Sequence, residues 1–199
     1  MASKERIQRL KDETRCNILE ASLNIVKEDG WQALSMRKIA DKIEYTAPII
    51  YEYFANKDAI LNELTRMGYI KLAKLMTEAR DQYEQPEQQL EAMWISYWNF
   101  AFAEKELYQV MYGVEVNCCA LQGSCPDLAA PSDMLWDKIA EILPSDKRSD
   151  ENVDMKYYTF WSVVHGLISI NMTGQITNHD LSIQVLRNAL TGIIASLKN

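Results

Sequence analysis

The stretch SMRKIADKIEYTAPIIYEYF, Ser35 to Phe54, carries two short helical signals separated by a turn. Ser35 is an N-cap candidate for a helix from Met36 to about Ile43, in which Ile39 and Ala40 allow close packing. After Glu44 and Tyr45, Thr46 is a second N-cap candidate, and Pro48 falls in a first turn where its missing N–H costs nothing. The helix so started, Ala47 to Tyr53, is two turns long. Upstream, a longer helix is predicted from about Lys4 to Glu28, with Ile18, Leu19, Ser22, Ile25 and Val26 on its inward stripe and Gly30 at its stop. Two short helices on a longer one make the helix-turn-helix pattern, in which the second short helix enters a DNA major groove.

Beyond this unit the periodicity stays helical, and no window alternates as a strand does. Lys57 and Asp58 open a long helix toward Tyr83, ended by Pro86. From Glu87 to about Ala103, Leu90, Met93, Trp94, Tyr97, Trp98 and Ala101 share one helix face. Leu107 to Gly113 reads as a short helix, Val116 to Pro131 as an irregular connection, and Ser132 to Leu143 as a helix. Two long apolar helices follow, Asn152 to about Gln175 and Asp180 to about Lys198, with Asp180 as N-cap of the second. The stripe of the last helix, from Leu181 and Val185 through Leu190 to Leu197, is wider than one neighbour needs. Such a pair suggests an intermolecular four-helix interface, with a purely internal hairpin as the alternative.

The 199 residues are 48% hydrophobic and 25% charged, which excludes disorder and low complexity and allows a core without metal or disulfide. The net charge of −7 hides an asymmetry. Residues 1–57 carry ten basic and nine acidic side chains, residues 58–199 eleven and nineteen. Lys4, Arg6, Arg9 and Lys11 form a basic arm suited to phosphate. Tyr157 to Asn178 has no formal charge over 22 residues, but polar groups spread through it favour a buried helix over a membrane span. Four cysteines and no basic segment leading into an apolar leader predict a cytoplasmic chain with reduced thiols.

Residues 15–61 resemble the DNA-binding domain of TetR-type transcriptional regulators. The resemblance rests on Arg15 to Ser22, Gly30 and Trp31, Ser35 to Ala40, Thr46 to Phe54, and Asn56 to Leu61. Trp161 to Gly166 resembles the Trp, His, Gly signature of one C-terminal class in that family. The resemblance implies a homodimeric regulator, most often a repressor, whose C-terminal domain binds a small molecule that changes the spacing of two DNA-reading heads. Residues 1–57 would be the DNA-binding domain, with a recognition helix at 47–53, and residues 58–199 the effector-binding and dimerisation domain. Arg37 would lie near phosphates or a base edge, and Thr46 would cap the recognition helix and touch phosphate. Ala47, Pro48 and Ile49 would face the groove, and Tyr51, Tyr53 and Lys57 would contact phosphates. Two positions depart from the family pattern. Glu44 stands where a glycine able to take a left-handed conformation is usual, and Glu52 puts an acid on the recognition helix, where it repels phosphate unless it points away or meets a base.

No phosphate-cradling glycine loop, His-Glu-x-x-His or Gly-x-Ser-x-Gly is present, so no enzyme activity, cofactor or metal is assigned. Cys118, Cys119 and Cys125 cluster, but not at a standard zinc spacing, and read first as ordinary loop cysteines. The aromatic-rich second part offers an effector site from Trp94, Tyr97, Trp98, Tyr108, Met111, Tyr112, Trp161 and His165. His165 reads either as a hydrogen-bonded core histidine or as a polar contact in that site. Glu91, Glu104, Glu106 and Glu115, near these rings in sequence, add a lipophilic cation to the effector classes. The expected partners are therefore near-palindromic double-stranded DNA, a second copy through the two C-terminal helices, and a small effector, without a membrane. The alternative is a helical module that acts through protein partners without touching DNA.

Overall fold

The computed structural model describes residues 2–113, 126–176 and 178–198. These are all-α: α1 (Ala2–Asp29), α2 (Met36–Lys42), α3 (Ala47–Tyr53), α4 (Lys57–Arg80), α5 (Pro86–Ala103), α6 (Lys105–Tyr112), α7 (Pro126–Ile142), α8 (Asp150–Met172) and α9 (His179–Leu197). Among the described residues no strand occurs, and no helix is long and apolar enough to cross a membrane. The chain divides into two compact units. One holds α1, α2, α3, α4 through Tyr69, and α6; the other holds α4 from Ile70, α5, α7, α8 and α9.

In the first unit the stripe read from sequence turns inward, with Ile18, Leu19, Ser22, Ile25 and Val26 all buried. The Ser22 hydroxyl donates to the Ile18 carbonyl at 2.6 Å, so its burial leaves no polar atom unmet. Gly30 follows α1 with φ 81°, a conformation that costs glycine nothing. α1 packs on α2 and α6, and α2 on α3. Gly68 of α4 lies so close to α6 that a Cβ there would run into Met111 Sδ and sit 3.3 Å from Leu107 Cγ.

In the second unit α5 packs against α7, α8 and α9, α7 against α8, and α8 against α9. The face of α5 is buried as expected, Leu90, Met93, Trp94, Tyr97, Trp98 and Ala101 included. Several helix starts differ from the sequence reading, three of them among α7, α8 and α9. α7 begins at Pro126, so 126–131 is helical rather than irregular, and Pro131 lies inside the helix. The earlier start buries Leu128, and Ser132 Oγ donates to the Ala129 carbonyl at 2.8 Å. α8 starts two residues before Asn152 because Ser149 accepts from the Asn152 N–H at 3.3 Å, and it ends at Met172, short of Gln175. α9 is capped by Asn178, whose side chain accepts from the Leu181 N–H at 3.2 Å, and Asp180 sits in the first turn.

Candidate nucleic-acid interface

Ser35 caps α2 as its sequence context predicts, accepting from the Lys38 N–H at 3.2 Å. Two of the three cations of α2 are committed to α1: Lys38 Nζ reaches Asp29 at 2.7 Å and Lys42 Nζ reaches Glu28 at 2.6 Å. The Lys38 hydrogen bond and charge hold the Asp29 carboxyl below its usual range. Arg37 is exposed and is the α2 cation that makes no ion pair among the described residues.

The turn from α2 to α3 passes through Glu44 at φ 59°. The left-handed conformation usual for glycine is therefore kept here by an acidic residue, closed by the Tyr45 N–H donating to the Ala40 carbonyl at 2.9 Å. Thr46 precedes α3 in extended conformation, but its hydroxyl makes no cap bond and stays exposed. α3 is anchored by Ile50, fully buried, and by Phe54 just beyond it. Pro48 and Glu52, two residues on either side of Ile50, each lie about 160° around the helix from it. They mark the middle of the outward face and are exposed, with Ile49 and Tyr51 on its flanks. Tyr51 is 56% exposed; Ala47 and Tyr53 are half-buried.

Asn56 caps α4, accepting from the Ala59 N–H at 2.9 Å. Lys57 opens the helix, its ammonium 5.4 Å from the Trp31 ring centroid and donating to the Gln32 carbonyl at 3.2 Å. Trp31 and the Gln32 carbonyl thus orient the Lys57 ammonium, a task not assigned to them from sequence. Behind α3, Arg15 lies over the Phe54 ring at 5.0 Å and reaches Glu63 of α4 at 3.3 Å, and Arg66 meets the same carboxylate at 2.8 Å. Burial pushes the Glu63 carboxyl up, but the two arginines together hold it below its usual value. Lys4 lies in the exposed first turns of α1, so the basic arm is helical.

The eight residues expected to hold an effector are divided between the units. Tyr108, Met111 and Tyr112 belong to the first, where Tyr69 and Tyr112 meet at 5.9 Å. Trp94, Tyr97, Trp98, Trp161 and His165 belong to the second. There Trp94 stacks on Phe160 with centroids 5.6 Å apart, and Trp161 donates to the Tyr97 hydroxyl at 3.3 Å and stacks on His165. Burial pushes the His165 imidazole below its usual value, which favours its neutral form. The Trp94 indole N–H is buried with no hydrogen-bond partner among the described residues. Glu91 is bound to Arg187 at 3.7 Å and Glu104 to Lys27 at 3.3 Å, so neither is an unpaired charge for a cation. Glu115 and the cluster Cys118, Cys119 and Cys125 lie outside the described residues.

Two family descriptions match the chain. "Bacterial regulatory proteins, tetR family" matches residues 18–64, and "Tetracyclin repressor-like, C-terminal domain" matches residues 90–192. No curated protein matches. Among solved structures, a protein of unknown function from Rhodococcus sp. RHA1 is similar with a TM-score of 0.77 at 20% identity, covering 93% of this chain and 95% of that one. The fatty acid degradation regulator FadR from Bacillus halodurans is similar with a TM-score of 0.67 at 14% identity, covering 93% and 96%. A TetR family transcription regulator from Marinobacter aquaeolei VT8 is similar with a TM-score of 0.62 at 13% identity, covering 92% and 97%. At these identities the likeness is one of fold, and the two matched domains carry the assignment: the chain belongs to the TetR family of bacterial regulatory proteins, ligand-responsive DNA-binding regulators of transcription.

Proposed function

We propose that this regulator is a cytoplasmic homodimeric repressor that binds a near-palindromic operator through residues 1–57 and leaves it when residues 58–199 take up a small effector. The observation that carries the DNA half is the outward face of α3, exposed and unbonded, beside an exposed Arg37 and a Lys57 held in place by Trp31. Arg37, Thr46, Tyr51, Tyr53, Lys57 and the arm residue Lys4 contact phosphates and set position and affinity. Ala47, Pro48 and Ile49 face the groove, where apolar side chains meet thymine methyl groups.

The second copy docks on α8 and α9. These helices expose Met155, Tyr158, Val163, Ile170, Leu181 and Val185 at 37–58% each, an apolar face that a parallel copy of the same pair would cover. The effector is a hydrophobic or aromatic molecule, because rings gather around Trp94, whose buried indole N–H adds a donor for an acceptor on it. Its differential affinity for two head separations sets how far DNA binding falls. Two recognition helices about 34–36 Å apart fit successive major grooves. The reading assigns the chain no catalytic residue, metal or cofactor.

The test is binding of the intact protein to genomic DNA fragments as salt rises from about 50 to about 200 mM. A regulator using these phosphate contacts loses affinity by orders of magnitude over that range, and Tyr51→Ala with Lys57→Ala flattens the dependence. A chain with no DNA affinity to lose acts through protein partners instead.

A further inference from the structure

Glu52 is not spent on the fold. It is exposed, and among the described residues no hydrogen bond or ion pair engages its carboxylate, whereas Glu28, Asp29 and Glu63 in the same unit each hold a base. Its place is set by the burial of Ile50 and Phe54: it lies with Pro48, four residues earlier, on the middle of the face opposite the core. A carboxylate there is repelled by phosphates from either strand, and, with no basic side chain on it among the described residues, a donor on a base edge is what can offset that.

We infer that Glu52 is a specificity-determining residue that accepts a hydrogen bond from the exocyclic amino group of a cytosine in each half-site. The inference rests on the proposed reading of α3 as the DNA-reading helix. Two bases show an amino donor in the major groove. Adenine sets the N7 acceptor beside its amino group, where a carboxylate is repelled, whereas cytosine presents N4 without an acceptor on its own edge. Pro48 and Ile49 alongside bring apolar surface, so the cytosine is flanked by positions read through methyl contact and not by further charge.

The experiment is selection from randomised duplexes by the full-length protein, Glu52→Ala and Glu52→Gln, followed by sequencing. The wild type enriches an inverted repeat with one cytosine per half-site that Glu52→Ala no longer selects, a loss of roughly tenfold in discrimination at that position. Glu52→Ala also binds random duplex more tightly than the wild type, since an acid has left the interface. Glu52→Gln moves the preference at the same position to adenine, whose N6 and N7 suit an amide. If Glu52→Ala and Glu52→Gln enrich the same repeat with the same cytosine, Glu52 is a bystander and the inference is overturned. If the wild type enriches no repeat at all, the DNA-reading assignment fails and takes the inference with it.

Discussion

Glu44 holds a φ of 59° in the turn before α3, where a non-glycine residue is strained by about 1–2 kcal/mol. Replacing it with glycine should raise the stability by about 1 kcal/mol, part of the relief being offset by the greater freedom of glycine in the unfolded chain. A higher urea midpoint at unchanged slope is the expected result; a lower midpoint would mean that the Glu44 side chain stabilises the turn. That this turn keeps its left-handed form was not legible in the residue itself, because an acid at that position argues for another shape. The close packing of α2 on α3 imposes it. The cap of α9 was misread for a related reason: Asn178 and Asp180 are both good caps, and only the backbone selects the first.

Among the elements, α1 and α4 are tied by Arg15, Glu63 and Arg66, with Phe54 beneath the Arg15 guanidinium. The folded Glu63 carboxyl lies below its unfolded value of about 4.3, so the unfolded chain binds more protons as acid is added. The stabilisation is therefore complete above that value and lost as pH falls through the folded one. Glu63→Gln should cost about 1 kcal/mol at neutral pH, Arg15 being part-exposed, and the gap to wild type should close on acidification in pH-resolved urea titrations. A constant gap would place the effect in packing. The contact of α4 with α6 is equally specific: Gly68→Ala should destabilise by about 1–3 kcal/mol through overpacking on Met111, and Met111→Ala in the same chain should recover part of it. Helix existence and inward faces were legible because apolar spacing at α1 and α5 is regular; the start of α7 was not, because Pro126 and Pro131 read as breakers while the burial of Leu128 overrules them.

At the scale of the whole molecule, the proposed dimer would stand on the exposed apolar face of α8 and α9. Tyr158→Asp together with Val185→Asp should convert a dimer to a monomer by light scattering, with helicity retained and operator affinity lost, since one head holds only one half-site. An unchanged mass would put the interface elsewhere. The DNA-reading half was readable from local sequence because a helix-turn-helix lies within twenty residues. The aromatic cluster of the second unit was not, because its members come from α5 and α8, far apart in sequence. Whether this chain reads an inverted repeat as a dimer is decided by capture of fragmented genomic DNA by the intact protein at near-physiological salt, with sequencing of what is retained. Enrichment of a short inverted repeat whose half-sites are centred about 10 base pairs or a multiple apart, lost with Tyr51→Ala and Lys57→Ala, is the expected result; retention of no sequence above background, or the same retention by that variant, would overturn dimeric operator reading.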